Sequence, residues 1–370
     1  MSPLVAFFSS LRLTVFCLVL WMILIFIATL AQVDLGIYFA KKQYLDSWWV
    51  LWDSGRGFSV PTIPGGLLVG WVLLINLITA HFTRFKWTWK KLGLWLVHIG
   101  IMVLIVGGGI SSMVSRENQL SLQEGETKHF IQSMDAWELA LISDAGKGQD
   151  QVVSIPHTEL AKKKDISIAA LPFQIRVKEF WFNAQLGRGQ GLATQGIGRQ
   201  ISAQWAPTNT HELAANTPTA LLEVRSGGNF LGTWLASSGL GAPQFVWVNG
   251  KSYQLVLRPL RRYLPYSIGL LDFKHEVYLG TQIPKNFSSK VRVIDGAAHQ
   301  NFTSLIFMNN PLRYRGLTFY QASFGNQDTL SVLQVVQNGV WWVPYVAVTM
   351  IFIGLLGHFG MMLVQRMGRK

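Results

Sequence analysis

The chain has little charge and almost no cysteine. Of its 370 residues, 14% are charged and 50% are hydrophobic, whereas roughly a quarter of an average soluble protein is charged. This balance indicates a membrane protein. The single cysteine, Cys17, excludes a disulfide within the chain, a CxxC redox pair and a CxxCH motif for covalent cofactor attachment.

The sequence also lacks the common catalytic and nucleotide-binding motifs. It contains no G-x-S-x-G, no H-E-x-x-H and no phosphate loop. The glycines Gly107–Gly109 end an apolar run instead of opening a strand-to-helix turn. The net charge of +13 lies partly beside apolar segments and forms no aromatic-rich basic run. This distribution favours membrane orientation, and we expect no nucleic-acid partner.

Four uncharged runs have about the length that a helix needs to cross a membrane. They lie at Leu13–Leu30, Gly65–Phe82, Leu92–Ile110 and Val343–Val364. The first run is also compatible with a secretory signal whose small-residue site ends at Ala31, but its length and the weakly charged residues before it favour a retained helix.

Two basic clusters predict the orientation. The turn between the second and third runs carries Arg84, Lys86, Lys90 and Lys91 without any acid, and Arg366, Arg369 and Lys370 follow the fourth run. Because short cytoplasmic segments are enriched in Lys and Arg, both clusters are predicted to be cytoplasmic. We therefore expect a multi-pass protein of the cytoplasmic membrane with both termini inside.

The predicted fold class is an integral membrane α-helical protein with a large extracytoplasmic, mainly β domain between helices three and four. The expected segments are a first transmembrane helix in 1–32, an outer loop in 33–60, a second helix in 61–83, a basic cytoplasmic loop in 84–91, a third helix in 92–114, the β-rich domain in 115–338, a fourth helix in 339–364 and a cytoplasmic tail in 365–370.

The long segment before the fourth run has the texture of β-strands. Polar and apolar residues alternate in Phe173–Lys178. The pair Asn249-Gly250 separates Val246–Val248 from Ser252–Leu257, and Asn-Gly between two such segments predicts a hairpin. Gln185–Thr219 is rich in Gly, Ala, Thr, Gln and Asn with weak periodicity, so it is predicted to be a long loop.

Three histidines lie toward the predicted inner side of the membrane. His98 lies in the third run, His358 in the fourth and His81 at the border of the second. An ionisable group inside the membrane is a candidate functional group, and neutral imidazole is a good ligand for haem iron. His98 is thus either an iron ligand or a hydrogen-bonding group between helices. His81 is interpreted as an interfacial residue, and His358 as a helix-packing residue beside Gly357 and Gly360.

The neighbours of His98 suit a flat ligand or a neighbouring helix. Trp95 precedes it by three residues and shares its helix face, while Gly93 and Gly100 have no side chains to hold a macrocycle or helix away. The remaining histidines show no metal-ligand spacing and are interpreted as surface or loop residues. They are His129, His157, His211, His275 and His299.

Several stretches in the same order along nearly the whole chain resemble the ResB (CcsB) family, which acts in the System II route of cytochrome c biogenesis. The stretches are FFSSLRLTVFCLVL, ATLAQVDLGIYFAKK, WLVHIGIMVLIVGGGIS, LQEGET, LPFQIRVKEFWFN, DFKHEVYLGTQIPKNFSSKVRV and MNNPLRYRGLTFYQASFG.

The resemblance implies a subunit that works with CcsA, a second multi-spanning protein. Together the two proteins would carry haem b outward, as transient cargo, and join it to the CxxCH thiols of apocytochrome c, with thiol-reducing proteins as further partners. The family's transmembrane histidine corresponds here to His98. The opposing histidine and the outer catalytic site are expected in CcsA, so this chain alone has no catalytic residues and is not a complete holocytochrome c synthase.

Basic residues at the cytoplasmic border are candidates to pair with the haem propionates, namely Arg84, Lys90 and Lys91. Such residues commonly serve orientation alone. In the outer domain, the stretches EFWFN and FYQASFG are interpreted as core strands, with a peptide-docking surface as the alternative.

Two other functions fit the sequence. The chain is alternatively a membrane scaffold that binds no haem, or an electron-transfer protein in which His98 and His358 ligate one haem within the chain.

Overall fold

The computed structural model describes residues 2–53, 59–84, 88–146, 148–209, 216–280, 284–325 and 329–367. The chain divides into two compact units. The helical unit comprises Met1–Arg116 and Gln337–Lys370, and the β unit comprises Glu117–Val336.

Long apolar helices build the helical unit, whereas the described part of the β unit holds one short α-helical turn. The α-helices of the described residues are α1 (Pro3–Phe8), α2 (Leu11–Ala40), α3 (Gly66–Arg84), α4 (Leu92–Val114), α5 (His157–Leu160) and α6 (Val343–Met367). Four of them, α2 with its π-helical extension Lys41–Leu45, α3, α4 and α6, are long and apolar enough to cross a membrane. The expectation of four apolar helices is confirmed.

The segment after the first apolar run differs from the expected loop. The helix continues to Ala40, although Gly36 adopts φ 73° and breaks its regular geometry. A π-helical turn, Lys41–Leu45, follows, with an ion pair of 3.3 Å between Lys41 and Asp46. The charged residues that suggested a loop are therefore tolerated at the end of a helix. Next comes a hairpin of β1 (Trp49–Asp53) and β2 (Ser59–Pro64).

A buried asparagine ties α3 to the start of the chain. Asn76 is fully buried in α3 and donates from Nδ2 to the carbonyls of Phe8, at 2.7 Å, and Ser10, at 3.1 Å. Its Oδ1 accepts from the Thr14 hydroxyl at 2.6 Å. These three hydrogen bonds satisfy the Asn76 amide, which would be costly to bury in an apolar interior without partners.

Strands of the second unit form a large antiparallel sheet, a four-stranded sheet and a small hairpin. They are β3 (Arg116–Gln123), β4 (Thr127–Gly146), β5 (Gln149–Pro156), β6 (Asp165–Ile166), β7 (Gln174–Trp181), β8 (Ala184–Arg188), β9 (Ile201–Trp205), β10 (Thr219–Ser226), β11 (Asn229–Ser237), β12 (Gln244–Val248), β13 (Lys251–Val277), β14 (Pro284–Asp295), β15 (Gln300–Phe307), β16 (Leu312–Tyr314), β17 (Leu317–Gly325) and β18 (Leu330–Gln337).

The large sheet has the order β15-β14-β13-β4-β3-β18-β17-β16, with β12 on β13 and β5 on β4. The four-stranded sheet has the order β11-β10-β7-β6, and β8 pairs with β9. The long strands β4 and β13 contribute to two separate hydrophobic cores. Leu139 and Leu255 belong to the core shared with the four-stranded sheet, whereas Ile131 and Ile268 belong to the core enclosed by β14 to β18. The expected mainly β region is confirmed.

Local patterns predicted two features of this unit correctly. Asn249 and Gly250 form the turn between β12 and β13 with positive φ values of 52° and 73°, the geometry that favours Asn-Gly in two-residue hairpins. The alternating stretch Phe173–Lys178 lies in and beside β7, where Ile175 and Val177 are buried and Gln174, Arg176 and Lys178 are exposed.

The expected long loop Gln185–Thr219 is wrong in part. It contains most of β8, a short 3-10 turn at Ile197–Gln200 and all of β9. Leu186, Ile201 and Ala203 pack with Leu235 in a small cluster of their own. The glycines of this segment weaken its periodicity. Strands β8 and β9 form because of tertiary packing, which local propensity does not indicate.

Candidate functional site

His98 lies in the first half of α4. It is six residues from Leu92, the first residue of the helix, which corresponds to about 9 Å along the axis. Its Nδ1 lies 2.7 Å from the carbonyl oxygen of Leu94. A carbonyl oxygen only accepts, so Nδ1 carries the hydrogen and the lone pair of the neutral ring is on Nε2. A backbone carbonyl bonded to one ring nitrogen is a common way to orient a histidine that ligates a metal through the other.

The ring of His81 lies near His98, and Trp95 packs against His81 in turn. The centroid of the His81 ring, on α3, lies 5.5 Å from that of His98 with an interplanar angle of 39°. The same His81 ring meets the Trp95 ring edge-on, with 3.8 Å between the ring centroids. We call His81, Trp95 and His98 the three-ring cluster. It forms because Trp95 and His98 are three residues apart, and so lie on one face of α4.

The structure corrects the interpretation of His81 as an interfacial residue. Its exposed fraction is 5%, although it lies in the last turn of α3 and only three residues before the exposed Arg84. Position along the sequence indicated the border of the apolar run. It did not indicate that Trp95 and His98 cover this face of α3.

A different face of α4 contacts α6. A Cβ added to Gly93 would lie 2.5 Å from the Gly354 carbonyl oxygen, and one added to Gly100 would lie 2.9 Å from the Ala347 carbonyl oxygen. Because a helix turns about 100° per residue, His98 lies about 140° around α4 from Gly93. Both glycines therefore serve close helix packing and not the face that carries His98.

His358 belongs to the α6 side of this packing. Its backbone nitrogen would lie 2.7 Å and its Cβ 2.9 Å from a Cβ on Gly93. The half-buried ring contacts Phe359 at 5.5 Å between centroids. The structure thus brings His98 together with His81 on α3, and it places His358 beside the glycine face of α4.

Basic side chains lie at the same end of the helices. Arg84 and Lys91 are exposed, and α4 begins directly after Lys91. The first N–H groups of a helix and its dipole favour negative charge at this end. The side chain of Lys90 and residues 85–87, which include Lys86, lie outside the described part of the chain, as do residues 368–370.

The three-ring cluster offers one imidazole, His98, whose Nδ1 is held by a backbone carbonyl. Within the described ranges no group of three or more His, Cys, Asp or Glu side chains is placed to hold a metal. A structural zinc site needs four such ligands, whereas haem iron takes only one or two axial ligands from protein. A single oriented imidazole such as that of His98 would meet this smaller requirement.

Histidines of the β unit do not assemble into a site within the described residues. His129 stacks near Tyr263, with 5.5 Å between centroids, His157 contacts the Trp137 backbone, and His275 packs on Phe324 at 4.2 Å. His299 is exposed in a turn with φ 52°, and His211 lies outside the described residues.

The aromatic stretches of the β unit belong mostly to its cores. Phe319 is fully buried, and Phe180 and Phe324 pack against the two cores. Tyr320, on the opposite side of β17, is 37% exposed. The alternation along each strand explains this split, and it agrees with the interpretation of these stretches as core strands.

Comparison with known proteins identifies the relationship. Residues 244–340 match the model of the ResB-like family. The chain is also 21% identical over 341 residues to Protein NrfI of Wolinella succinogenes, in an alignment that covers 89% of this chain. The chain spans only about a third of that relative, because the same alignment covers 32% of NrfI. The resemblance to the ResB family is therefore confirmed, through a ResB-like region at residues 244–340 and similarity to NrfI along most of the chain.

Proposed function

We propose that the chain acts in cytochrome c biogenesis as a membrane subunit that holds haem through His98 and works with a second haem-handling membrane protein of the CcsA type. The ResB-like match and the similarity to NrfI support a role in cytochrome c biogenesis. The observation that carries the haem part is the orientation of His98, whose Nδ1 donates to the Leu94 carbonyl, the arrangement commonly found for a histidine that ligates a metal through Nε2.

The second axial ligand comes from the partner protein in this proposal. His358 stands at the glycine face of α4, about 140° around the helix from His98, which disfavours an intrachain pair. A single imidazole held by one subunit also suits cargo that has to move on, because a shared site comes apart when the subunits rearrange. Haem supplies the iron and the reactive vinyl groups, and this chain supplies the ligand and its apolar surroundings.

Basic side chains at the end of α3 and the start of α4 would pair with the haem propionates. Arg84 and Lys91 are exposed there, and the N-terminal end of α4 adds the favourable end of a helix dipole. Lys90 is the third candidate on sequence grounds. With the basic clusters inside, haem would enter from the cytoplasmic side.

The β unit would then lie outside the cell membrane and present apocytochrome c to the partner. Two hydrophobic cores make it large enough to be a rigid platform, and the outer catalytic site belongs to the partner. In this proposal the chain is one part of a holocytochrome c synthase, and thiol-reducing proteins keep the CxxCH cysteines of the apocytochrome reduced.

Absorbance spectra of the purified complex test this function. The chain is co-expressed with a CcsA-type partner, as wild type and as His98→Ala, His358→Ala and His129→Ala. We expect a Soret band in the wild type that His98→Ala abolishes and the other two variants retain. Imidazole added to His98→Ala should restore the band by entering the vacated coordination position.

Two results would contradict the proposal. A wild-type complex without any Soret band would leave the chain as a scaffold. A band that appears without the partner and disappears in His358→Ala would instead establish a haem held within this chain by His98 and His358.

A further inference from the structure

The three-ring cluster contains a residue to which the proposed function gives no role. His81 is almost completely buried at 5% exposure, while His98 and Trp95 are each only half-buried. It comes from the preceding helix, α3, so its position relative to His98 depends on how α3 packs against α4. Its burial needs a reason, because a polar ring placed among apolar helices is costly unless its contacts compensate it.

The contacts of His81 are directed at the ligand residue. Its ring meets Trp95 edge-on at 3.8 Å and lies 5.5 Å from the ring of His98. His98 is also held by Leu94 through Nδ1. Two groups therefore hold the His98 ring: the Leu94 carbonyl on its own helix and the His81 ring on the neighbouring helix. Trp95 in turn packs against His81.

We propose that His81 is a positioning residue for His98. This inference rests on the proposed function, and it adds that the orientation of the ligating imidazole is set by α3. Packing of the His81 ring against His98 and Trp95 limits the rotation of the His98 side chain and keeps Nε2 aimed in one direction. Groups around a metal ligand that fix its orientation typically contribute about 10- to 100-fold to metal affinity.

A positioning role differs from ligation in what it requires of residue 81. A ligand needs a ring nitrogen, whereas packing needs a ring of similar size. His81→Phe keeps a flat ring beside Trp95 and removes both nitrogens, and His81→Ala removes the ring. The pair separates the two roles in one experiment.

The test uses the complex of this chain with its CcsA-type partner. Haem affinity is measured by titration, and the electron paramagnetic resonance spectrum reports the orientation of the axial imidazole. We expect His81→Ala to lower haem affinity about 10-fold or more and to broaden the low-spin signals. Added imidazole should not correct this, because His98 still occupies the coordination position. His81→Phe should restore most of the affinity and narrow the signals again.

Other outcomes overturn the inference. If His81→Ala binds haem as the wild type does, or if His81→Phe is as impaired as His81→Ala, ring packing is not the role of residue 81. Rescue of His81→Ala by imidazole would identify His81 as a ligand instead. If His98→Ala retains its band, the proposed function itself fails, and that result is distinct from a failure at position 81.

Discussion

The two units of the molecule bury polar groups by different means. In the described part of the helical unit the buried polar residues are Ser9, Asn76 and His81, none of them a carboxylate, lysine or arginine, and α4 approaches α6 through glycines. The β unit buries full charges, including Glu138, Arg258 and Asp295. The helical unit thus compensates its buried polar groups with hydrogen bonds and ring contacts, whereas the β unit also uses charge pairs between strands.

The largest effect is expected from breaking a buried charge pair in the β unit. Glu138 on β4 accepts from Arg258 Nε at 2.8 Å and from the Ser154 hydroxyl, and both charged side chains are nearly inaccessible. Glu138→Ala leaves the Arg258 charge buried without its partner, which costs about 3–5 kcal/mol. Chemical denaturation of the whole chain in detergent, followed by circular dichroism of the β signal, measures the change.

A matched exposed pair is the control for this prediction. Asp165 and Arg176 also form an ion pair, at 2.6 Å, but their side chains are 59% and 49% exposed. Asp165→Ala should cost much less than Glu138→Ala because water screens the exposed pair. Equal losses for the two alanine variants would show that burial of charge does not distinguish this unit.

A smaller effect is expected from separating the helices. Gly93→Ala places a Cβ 2.5 Å from the Gly354 carbonyl oxygen, so α4 and α6 must move apart, at a cost of about 1–3 kcal/mol. Thermal unfolding in detergent should show a lower Tm for this variant.

The control for Gly93→Ala lies on the same helix. A Cβ on Gly108 would meet nothing within 4 Å, so Gly108→Ala should leave stability unchanged or raise it by up to about 1 kcal/mol. A Gly93→Ala variant that is as stable as Gly108→Ala would mean that the glycine contact between α4 and α6 is not needed.

The helices and strands were predictable where one local signal dominated. Apolar length predicted α3, α4 and α6, and Asn249-Gly250 predicted the β12–β13 turn. The extension of α2 past Val33 was not predictable from hydropathy, because charges such as Asp34 and Lys41 are tolerated at the end of a helix. Strands β8 and β9 were missed because their pairing depends on packing against Leu235 and not on periodicity.

The candidate site was predictable only in part. A lone histidine in an apolar run marked His98, and the i, i+3 spacing linked Trp95 to it. The face of α3 that packs against α4 was not predictable, because nothing in the local sequence shows which side of α3 meets α4. His81 was therefore predicted to lie at the membrane–water border. Asn76 was overlooked, although a polar amide in the middle of an apolar run is itself a signal of a buried hydrogen-bonding site.

The smallest expected effect is a pH dependence confined to the β unit. Burial raises the pKa of the Asp295 carboxyl, but hydrogen bonds from the Tyr314 hydroxyl and the Ala298 N–H, together with the charge of Arg315, outweigh this and hold the pKa below its usual 3.8. The unfolded chain therefore binds this proton more readily. The contribution of Asp295 to stability is present above about pH 4 and is lost as the pH falls through the lower pKa of the folded form.

Asp295→Asn should consequently be less stable than the wild type at neutral pH and should lose less stability between pH 5 and pH 3. Asp150→Asn, at an exposed position of β5, is the matched control for the removal of one carboxylate from this unit. The measurement is the free energy of unfolding of the wild type and both variants between pH 5 and pH 3. If the free energy of unfolding changes with pH equally in Asp295→Asn and in the wild type, Asp295 is not one of the buried charges that stabilise the β unit. A carboxylate that stabilises the fold only when it is ionised must lose that contribution when it is protonated.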